Sequence, residues 1–251
     1  MPDGNLVIGR NSVREVVRHD PKRVIKIYGS EKDTLDKYFT AADQKIIREN
    51  KIPFEYLHKD EITLISKSDS HQSLIAVTKR KAEIGIKDYL KLHTEEESLV
   101  LMLDDIQDPQ NLGAILRAAE CFAVDLVIYS KNKGAGITPA VTKASVGASE
   151  LLNIVSVSNL ADAIGKFKDA GYWAILADAD AESGSLKAFE FPKKTLLIMG
   201  SEGYGAQPLI KKEVDFKLFI DLHGRISSLN VSQATAIMLD SYRRQFSKVK
   251  A

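Results

Sequence analysis

The sequence predicts an α/β protein in which a small N-terminal α/β unit precedes a larger domain built on a parallel sheet. Two observations predict the larger domain. From residue 99 onward, short apolar strands alternate with helical segments, and polar residues collect directly after several of those strands. Continuous apolar strands separated by helices are typical of a mostly parallel sheet covered on both faces. A shorter mixture of strands and helix in the first ninety residues predicts the smaller unit.

The first unit is predicted from local periodicity. Residues 24–28 alternate as a strand does, and residues 34–51 carry apolar side chains at helical spacing. Residues 54–57 and 74–79 are further strand candidates. The polar, weakly periodic stretch 84–98 follows, and it predicts a linker.

The second unit is predicted to alternate strands and helices up to about Phe246. Its strand candidates are the apolar runs at residues 99–103, 125–130, 172–177, 195–199 and 215–220. We therefore expect a first domain over residues 1–83, a linker, and a second domain over residues 99–251.

The composition predicts a folded, cytoplasmic protein. The 251 residues are 44% hydrophobic and 27% charged, which allows a large core. No apolar run approaches the roughly 18 residues of a membrane span, so we expect no membrane partner. The net charge of +1 argues against coating nucleic acid by bulk charge. Cys121 has no Cys or His partners at metal-ligand spacing, so we expect a structural thiol and no metal site.

The first polar strand end is the segment 104–122. Asp108 precedes a proline in a helix-start signal, and Asn111 falls near the N-cap of the predicted helix. The residues predicted to lie opposite the buried face of this helix are Ala114, Arg117 and Cys121. From this segment alone, the simpler interpretation of Asn111 as a cap and Arg117 as a solvated charge is favoured.

The second polar strand end is a glycine-rich loop. Gly200, Gly203 and Gly205 form a Gly-x-x-Gly-x-Gly spacing that allows backbone amides to face a ligand. The spacing is neither the dinucleotide fingerprint nor the phosphate-binding P-loop. Glu202 lies inside the loop, either as an exposed turn residue or as an acceptor placed at a site.

The third polar strand end lies where the last helix begins. Ser227 or Ser228 is expected to cap this helix. Asn230 and Ser232 then fall inside its first turns, where such residues have middling helix propensity and no capping reason. The number of polar side chains at one helix start indicates a role beyond capping.

Together the three segments resemble the signature motifs of the SpoU-type RNA 2′-O-ribose methyltransferases of the SPOUT superfamily. Asn111 to Arg117 matches the family's Asn-x-Gly-apolar-apolar-x-Arg core. Gly200 to Gly205 matches its Gly-x-Glu-Gly-x-Gly loop, and Ser228 to Ser232 matches its Ser-Leu-Asn-Val-Ser run. The residues that resemble the family's middle segment are Lys143, Ser145, Gly147 and Glu150. The first domain resembles the ribosomal-protein-like substrate-binding domain of bacterial members that modify large-subunit rRNA.

The sequence departs from the family pattern at three positions. Ser73 stands where the family usually has glycine after His-Gln. Asp221 replaces the proline of the loop before the third motif, and Leu222 replaces its methionine. The Asp221 departure bears on the shape of the cofactor loop, whereas leucine for methionine is a mild change.

The resemblance implies S-adenosylmethionine as cofactor, a homodimer with the active site completed across its interface, and a deep trefoil knot in the second domain. The residues it implies for catalysis are Asn111, Arg117, Glu202, Ser228 and Asn230. Those it implies for cofactor binding are Gly200, Gly203, Ile220, Leu222 and Leu229. No metal ion is implied.

The resemblance implies that Arg117 is the family's catalytic arginine, yet a guanidinium stays protonated near neutral pH and is a poor general base. We expect Arg117 to grip a phosphate beside the target ribose and to stabilise the developing alkoxide. In the first domain, the candidate phosphate contacts are Arg10, Arg14, Arg18, Lys22 and Arg23. For any one of these five, solvated helix charge is the simpler interpretation.

The function predicted from the resemblance is methylation of a ribose 2′-hydroxyl on a guanosine of large-subunit (23S) rRNA. Two alternatives stay open. The same chemistry could act on tRNA, or the chain could be a non-catalytic RNA-binding or ribosome-assembly factor with the same fold.

Overall fold

The computed structural model describes residues 4–69, 71–82, 84–179, 183–201 and 205–246. In chain order the strands are β1 (Asn5–Ile8), β2 (Val24–Gly29), β3 (Phe54–Tyr56), β4 (Leu74–Thr78), β5 (Ser98–Leu103), β6 (Leu126–Ser130), β7 (Ile154–Val157), β8 (Trp173–Ala177), β9 (Gly184–Ser185), β10 (Lys194–Met199) and β11 (Phe216–Phe219). The helices are α1 (Arg10–His19), α2 (Thr34–Tyr38), α3 (Ala41–Glu49), α4 (Lys59–Ser66), α5 (Ile86–Leu92), α6 (Pro109–Cys121), α7 (Pro139–Ala144), α8 (Ala148–Leu151), α9 (Leu160–Asp169), α10 (Pro208–Glu213) and α11 (Val231–Gln245). Within these ranges no helix combines the length and apolarity that a membrane span needs.

The chain divides into two compact units. The first comprises the chain up to Ala82 together with Ile137–Leu151, and the second comprises the rest. In the first unit a four-stranded sheet has the order β1-β4-β2-β3, with β4 antiparallel to both neighbours and β2 parallel to β3. Its strands β2, β3 and β4 confirm the predictions at the corresponding residues. The buried core between sheet and helices includes Val7, Val13, Val16, Val17, Ile27, Leu74 and Ala76.

The single helix predicted over residues 34–51 is two helices, α2 and α3. The hydroxyl of Thr40 accepts a hydrogen bond from the Asp43 N–H at 3.3 Å, and the Asp43 carboxylate accepts one from the Thr40 N–H at 2.9 Å. This reciprocal capping box satisfies backbone donors that a helix start leaves free. It therefore begins a new helix inside a stretch whose apolar spacing predicted one.

A second stretch of chain, Ile137–Leu151, completes the first unit through a buried carboxylate. Glu150 accepts hydrogen bonds from Arg23 Nη2 at 2.8 Å and from Asn5 Nδ2 at 3.0 Å. Lys81 Nζ donates to the carbonyl oxygen of the residue after Glu150 at 2.6 Å. Because a buried charge is costly unless it is paired, these contacts fix the end of the segment firmly.

A seven-stranded sheet forms the centre of the second unit, in the order β7-β6-β5-β10-β8-β11-β9. All its paired strands are parallel, as the continuous apolar runs predicted. From β5 the chain goes to β6 and β7 on one side, while β10 lies on the other side. The loops after β5 and β10 therefore diverge at the carboxyl edge of the sheet. This switch point is where α/β sheets bind ligands.

The stretch predicted as a linker, residues 84–98, contains helix α5. Ile86 and Tyr89 on this helix are buried in the core of the second unit. The Tyr89 hydroxyl lies 3.2 Å from Ser98 Oγ, and burial raises the pKa of Tyr89 far above its usual range. Lys87, Asp88 and Lys91 thus lie on a helix whose apolar side is packed, whereas the three glutamates at residues 95–97 follow it. The proposed domain limits at residues 83 and 99 stay predictions.

The turn before β4 holds Ser73 in the left-handed region, at φ +64°. Its N–H donates to Nδ1 of the buried His71 at 3.0 Å, so Nε2 of this ring carries the proton and faces Thr63 Oγ1 at 3.0 Å. Burial lowers the pKa of His71. The backbone conformation explains why glycine suits this position, since a side chain in the left-handed region costs about 1 kcal/mol.

Replacing Ser73 with glycine is expected to raise the free energy of unfolding by about 0.5 to 1 kcal/mol, because it relieves this backbone strain. Urea denaturation of the two proteins measures the difference. Ser158→Gly is the control, since Ser158 lies outside the left-handed region and gains nothing from glycine. Equal effects of the two substitutions would show that the conformation of Ser73 carries no strain.

Candidate active site

Two asparagines from distant parts of the sequence meet at the carboxyl edge of the second sheet. Asn230 Nδ2 donates a hydrogen bond to Asn111 Oδ1 at 2.9 Å, across 119 residues of chain. Asn111 lies in the first turn of α6, and Asn230 immediately precedes α11. The structure therefore brings together the first and third motifs, which the sequence analysis placed at separate strand ends.

Asn230, and neither Ser227 nor Ser228, is the N-cap of α11. Its Oδ1 accepts from the Ser232 N–H at 2.9 Å and from Ser232 Oγ at 2.6 Å. The helix starts two to three residues later than expected, so the expectation that Asn230 has no capping role is wrong. Ser228 lies in the exposed loop before the helix. One asparagine thus satisfies the helix terminus with its oxygen and contacts Asn111 with its nitrogen.

Arg117 lies on the exposed side of α6, as predicted. It follows Asn111 by six residues, which places it about 9 Å further along the helix and roughly 120° around it. Ala114 and Cys121 are exposed beside it, as the helical spacing predicted. Within the part of the chain that the structure describes, Arg117 makes no hydrogen bond or ion pair. Its guanidinium is free to bind an external anion.

The glycine loop, residues 200–207, follows β10. A Cβ on Gly200 would lie 2.5 Å from both the Ala206 nitrogen and the Gly205 carbonyl carbon, so only glycine fits. Ser201 and Gly205 exchange backbone hydrogen bonds of 3.1 Å, and Gly205 has φ +66°. Glu202 and Gly203, expected to act in catalysis and cofactor binding, lie outside the described residues. The described part of the loop is compact, with its backbone at the strand end.

The other residues expected to bind cofactor follow β11 on the same edge of the sheet. Ile220 comes directly after the strand and is half-buried, while Leu222 is 38% exposed. Leu229 is half-buried just before α11. Asp221, the residue that replaces the family's proline, accepts a hydrogen bond from Ser185 Oγ at 2.5 Å. Ser185 belongs to the neighbouring strand β9, so this hydrogen bond fixes the position of the loop after β11. A proline at position 221 would instead restrict the loop through its own ring.

Two pairs of charged or polar residues on this edge were not predicted from the sequence. Asp104 directly follows β5, and its carboxylate accepts two hydrogen bonds from Gln207. Asp178 directly follows β8, and it pairs with Lys211 at 2.7 Å. The signal available was the position of each aspartate, one residue beyond a buried strand.

Most of the basic residues expected to contact phosphate in the first unit are held by protein groups. Arg18 donates to the buried Asp43 from Nε at 2.6 Å and from Nη2 at 3.1 Å, and Arg14 Nε lies 3.4 Å from the same carboxylate. Burial raises the pKa of Asp43, but the hydrogen bonds from Arg18 and Thr40 outweigh it and hold that pKa well below its usual range. This ion-pair cluster joins α1 to α3.

Two more of these residues are also engaged. The Arg10 guanidinium lies 3.8 Å from the centre of the Tyr38 ring, and Arg23 pairs with Glu150. Lys22 is exposed. These contacts favour a role in holding the first unit together for the four arginines. Of the five candidate phosphate contacts, Lys22 remains.

Two family models match the chain. The model for RNA 2′-O ribose methyltransferase substrate binding matches residues 6–83. The model of the SpoU rRNA Methylase family matches residues 98–240, more than half of the chain. The chain belongs to the SpoU rRNA methylase family. The resemblance seen in the three strand-end motifs is thereby confirmed, and with it the enzyme class of RNA 2′-O-ribose methyltransferases.

Relatives of this SpoU protein match over almost their whole length. The 23S rRNA (guanosine-2′-O-)-methyltransferase RlmB of Neisseria meningitidis serogroup B is 32% identical over 98% of this chain and 97% of its own. RlmB of Pseudomonas putida is 32% identical over 95% of this chain and 96% of its own. A solved structure from Porphyromonas gingivalis, assigned to the TrmH family of RNA methyltransferases, has a TM-score of 0.75 and 28% identity, covering 97% of this chain and 90% of that one. The predicted fold class, a parallel-sheet α/β domain with a small N-terminal α/β domain, is confirmed.

Proposed function

We propose that the protein transfers a methyl group from S-adenosylmethionine to the ribose 2′-hydroxyl of a guanosine in 23S rRNA. The observation that carries the proposal is the hydrogen bond between Asn111 and Asn230, which joins two family motifs at the switch point of the sheet. The relatives named for this reaction match the substrate-binding part of the chain as well as the methylase part. The relatives named for this reaction are bacterial proteins, and bacteria make and process rRNA in the cytoplasm, so the proposal places this protein there.

The carboxyl edge of the sheet fits S-adenosylmethionine. When bound, this cofactor supplies a methyl group on a positively charged sulfur, and that charge disappears as the methyl leaves. Asn111, Ser201, Ser228 and Asn230 bring uncharged polar side chains to this edge, and the charged groups of Asp104 and Asp178 are engaged by Gln207 and Lys211. Gly200 lies buried at the end of β10, where the absence of a side chain lets the backbone of Gly205 and Ala206 come close, while Ile220 and Leu229 offer half-buried apolar surface. We assign the adenosine and methionine parts to these backbone and apolar groups.

In the proposed reaction, the protein's own groups position the ribose and stabilise charge. Asn230 and Asn111 hold each other in place at the carboxyl edge of the sheet. Arg117 donates two hydrogen bonds to a phosphate next to the target ribose, and its charge stabilises the oxygen from which the proton departs. Proton loss goes to the phosphate or to water, since a guanidinium cannot serve as a base near neutral pH. Ser228 is proposed to orient the same groups.

We also propose that the protein works as a homodimer and that the second unit carries a trefoil knot. Support for the dimer comes from Arg117, which is placed roughly 120° around α6 from Asn111 and is exposed beside the small residues Ala114 and Cys121. A second copy would bring such an arginine to the first copy's asparagines. Light scattering of the purified protein is expected to give twice the mass of one chain.

The proposal is tested by incubating the protein with S-adenosylmethionine labelled in its methyl group and with deproteinised rRNA and tRNA from a host that lacks the gene. We expect label in 2′-O-methylguanosine of 23S rRNA. Label in tRNA would replace the rRNA proposal with the tRNA alternative. Cofactor binding without label in either RNA would point to a different RNA or an assembly intermediate, and neither binding nor label would support the non-catalytic factor.

A further inference from the structure

The end of the glycine loop is held by a buried carboxylate. Asp104 is fully buried directly after β5. Its Oδ2 accepts from the Gln207 backbone N–H at 2.7 Å, and its Oδ1 accepts from Gln207 Nε2 at 2.5 Å. Its own N–H donates to the Met199 carbonyl oxygen at 2.9 Å, at the end of β10. One residue therefore contacts the chain both just before the glycine loop and at its last position.

The same network reaches the loop after β6. Lys133 Nζ donates to Gln207 Oε1 at 2.7 Å. The Ala135 N–H donates to the Ile106 carbonyl oxygen at 2.7 Å, and a Cβ on Gly134 would lie 2.9 Å from that oxygen. The loops that follow β5, β6 and β10 are thus joined at one edge of the sheet, with Gln207 between the acid and the lysine.

We propose that Asp104 is a positioning residue for cofactor binding. By accepting both hydrogen bonds from Gln207, it fixes the end of the glycine loop, while β10 fixes its start. The backbone at Gly200 is then held in place before the cofactor arrives, which lowers the entropic cost of binding. This inference rests on the proposed function. It means that the fixed position of the glycine loop depends on Asp104, a residue that touches no reacting atom.

A carboxylate suits this position better than an amide does. Both groups that Gln207 directs at Asp104 are N–H donors, and an ionised carboxylate has two acceptor oxygens. An asparagine would present one oxygen and one NH₂ group, so a donor would face a donor. Because Asp104 is fully buried, the NH₂ group of an asparagine there would be held away from water without an acceptor. The loop end would then shift.

Isothermal titration with S-adenosylmethionine alone, on the full-length protein, tests the role of Asp104. Asp104→Asn is expected to weaken cofactor binding about tenfold or more, the equivalent of losing one buried hydrogen bond. At saturating cofactor, the methyl-transfer rate is expected to change much less than the KM for cofactor does. Such a split separates positioning from catalysis.

A second substitution is expected to rescue the first. In the double variant D104N/Q207E, the NH₂ of the new asparagine donates to the new carboxylate at position 207, which also keeps its contact with Lys133. We expect cofactor affinity to return to within about threefold of the original protein. If Asp104→Asn fails to fold, Gln207→Ala takes its place in the titration. This substitution keeps the backbone hydrogen bond to Asp104 and removes only the side-chain ones.

Asp125→Asn is the matched control at the opposite edge of the sheet. Asp125 also accepts two hydrogen bonds, from Ser98 Oγ at 2.9 Å and from the Leu99 N–H at 2.8 Å. Its substitution is expected to lower the melting temperature without changing cofactor affinity. Equal affinity in all variants, with binding intact in the original protein, would overturn the inference. Absence of binding in the original protein would instead overturn the proposed function.

Discussion

Replacing Arg117 with lysine is expected to lower the single-turnover rate of methyl transfer about 100-fold, because a rigid two-pronged donor to the developing charge is lost. Lysine keeps the charge and roughly the reach of arginine, but it acts as a point donor. Binding of S-adenosylmethionine is expected to stay the same, since Arg117 is exposed and contacts no described residue of the cofactor edge. Rapid quenching of a labelled reaction measures the rate, and titration measures cofactor binding.

The control for this substitution is Arg244→Lys in the same unit. Arg244 is an exposed arginine of α11 that pairs with Asp240 one helical turn away. Its replacement is expected to leave both rate and stability unchanged within error, as exposed helix pairs contribute little. If Arg117→Lys retained most of the rate and the RNA affinity, the paired hydrogen bonds to phosphate would be unnecessary, and charge alone would explain the role of Arg117.

Strand positions could be predicted from the sequence because burial on both faces leaves a continuous apolar run. All five runs predicted in the second unit are strands of its sheet. Strands β7 and β9 were missed. β7 includes Ser156 between its apolar residues, and β9 has only two residues, Gly184 and Ser185, with no apolar side chain. Their place in the sheet depends on pairing with β6 and β11, which no local pattern records.

The starts of helices were harder to predict than their existence. Ser227, Ser228 and Asn230 all belong to the residue types that cap helices, so composition could not choose among them. The choice is made by tertiary structure. The hydrogen bond to Asn111 holds Asn230 against the first turn of α6. Helix α11 begins at the next residue, Val231. The Asn230 side chain therefore both caps α11 and joins the first and third motifs.

Pairing partners across long sequence separations were also beyond the sequence. Arg23 and Glu150 are 127 residues apart, and nothing in either neighbourhood indicates that they meet. Their ion pair places the segment 137–151 in the first compact unit, although its neighbours along the chain on both sides belong to the second. Arg14 and Arg18 resemble an RNA-binding stripe in the sequence, but both form ion pairs with Asp43. This pairing also joins distant residues, so no local pattern predicts it.

The second large effect is expected from Gly200→Ala. The added methyl group would lie 2.5 Å from two backbone atoms of the returning loop, and backbone cannot move aside as a flexible side chain can. We expect the cofactor Kd to rise at least about tenfold, with a lower melting temperature. Titration with S-adenosylmethionine and thermal unfolding of the same preparation measure both changes.

The same substitution at Gly165 is the control, and it is expected to have the opposite sign. Gly165 lies in the middle of α9, where nothing stands within 4 Å of an added Cβ. Alanine there is expected to raise stability by about 0.5 to 1 kcal/mol, because it restricts the unfolded chain and suits a helix. Cofactor affinity should not change. A similar loss of affinity at both positions would mean that Gly200→Ala acts through general destabilisation, and the close backbone approach at the strand end would then not explain why this position holds glycine.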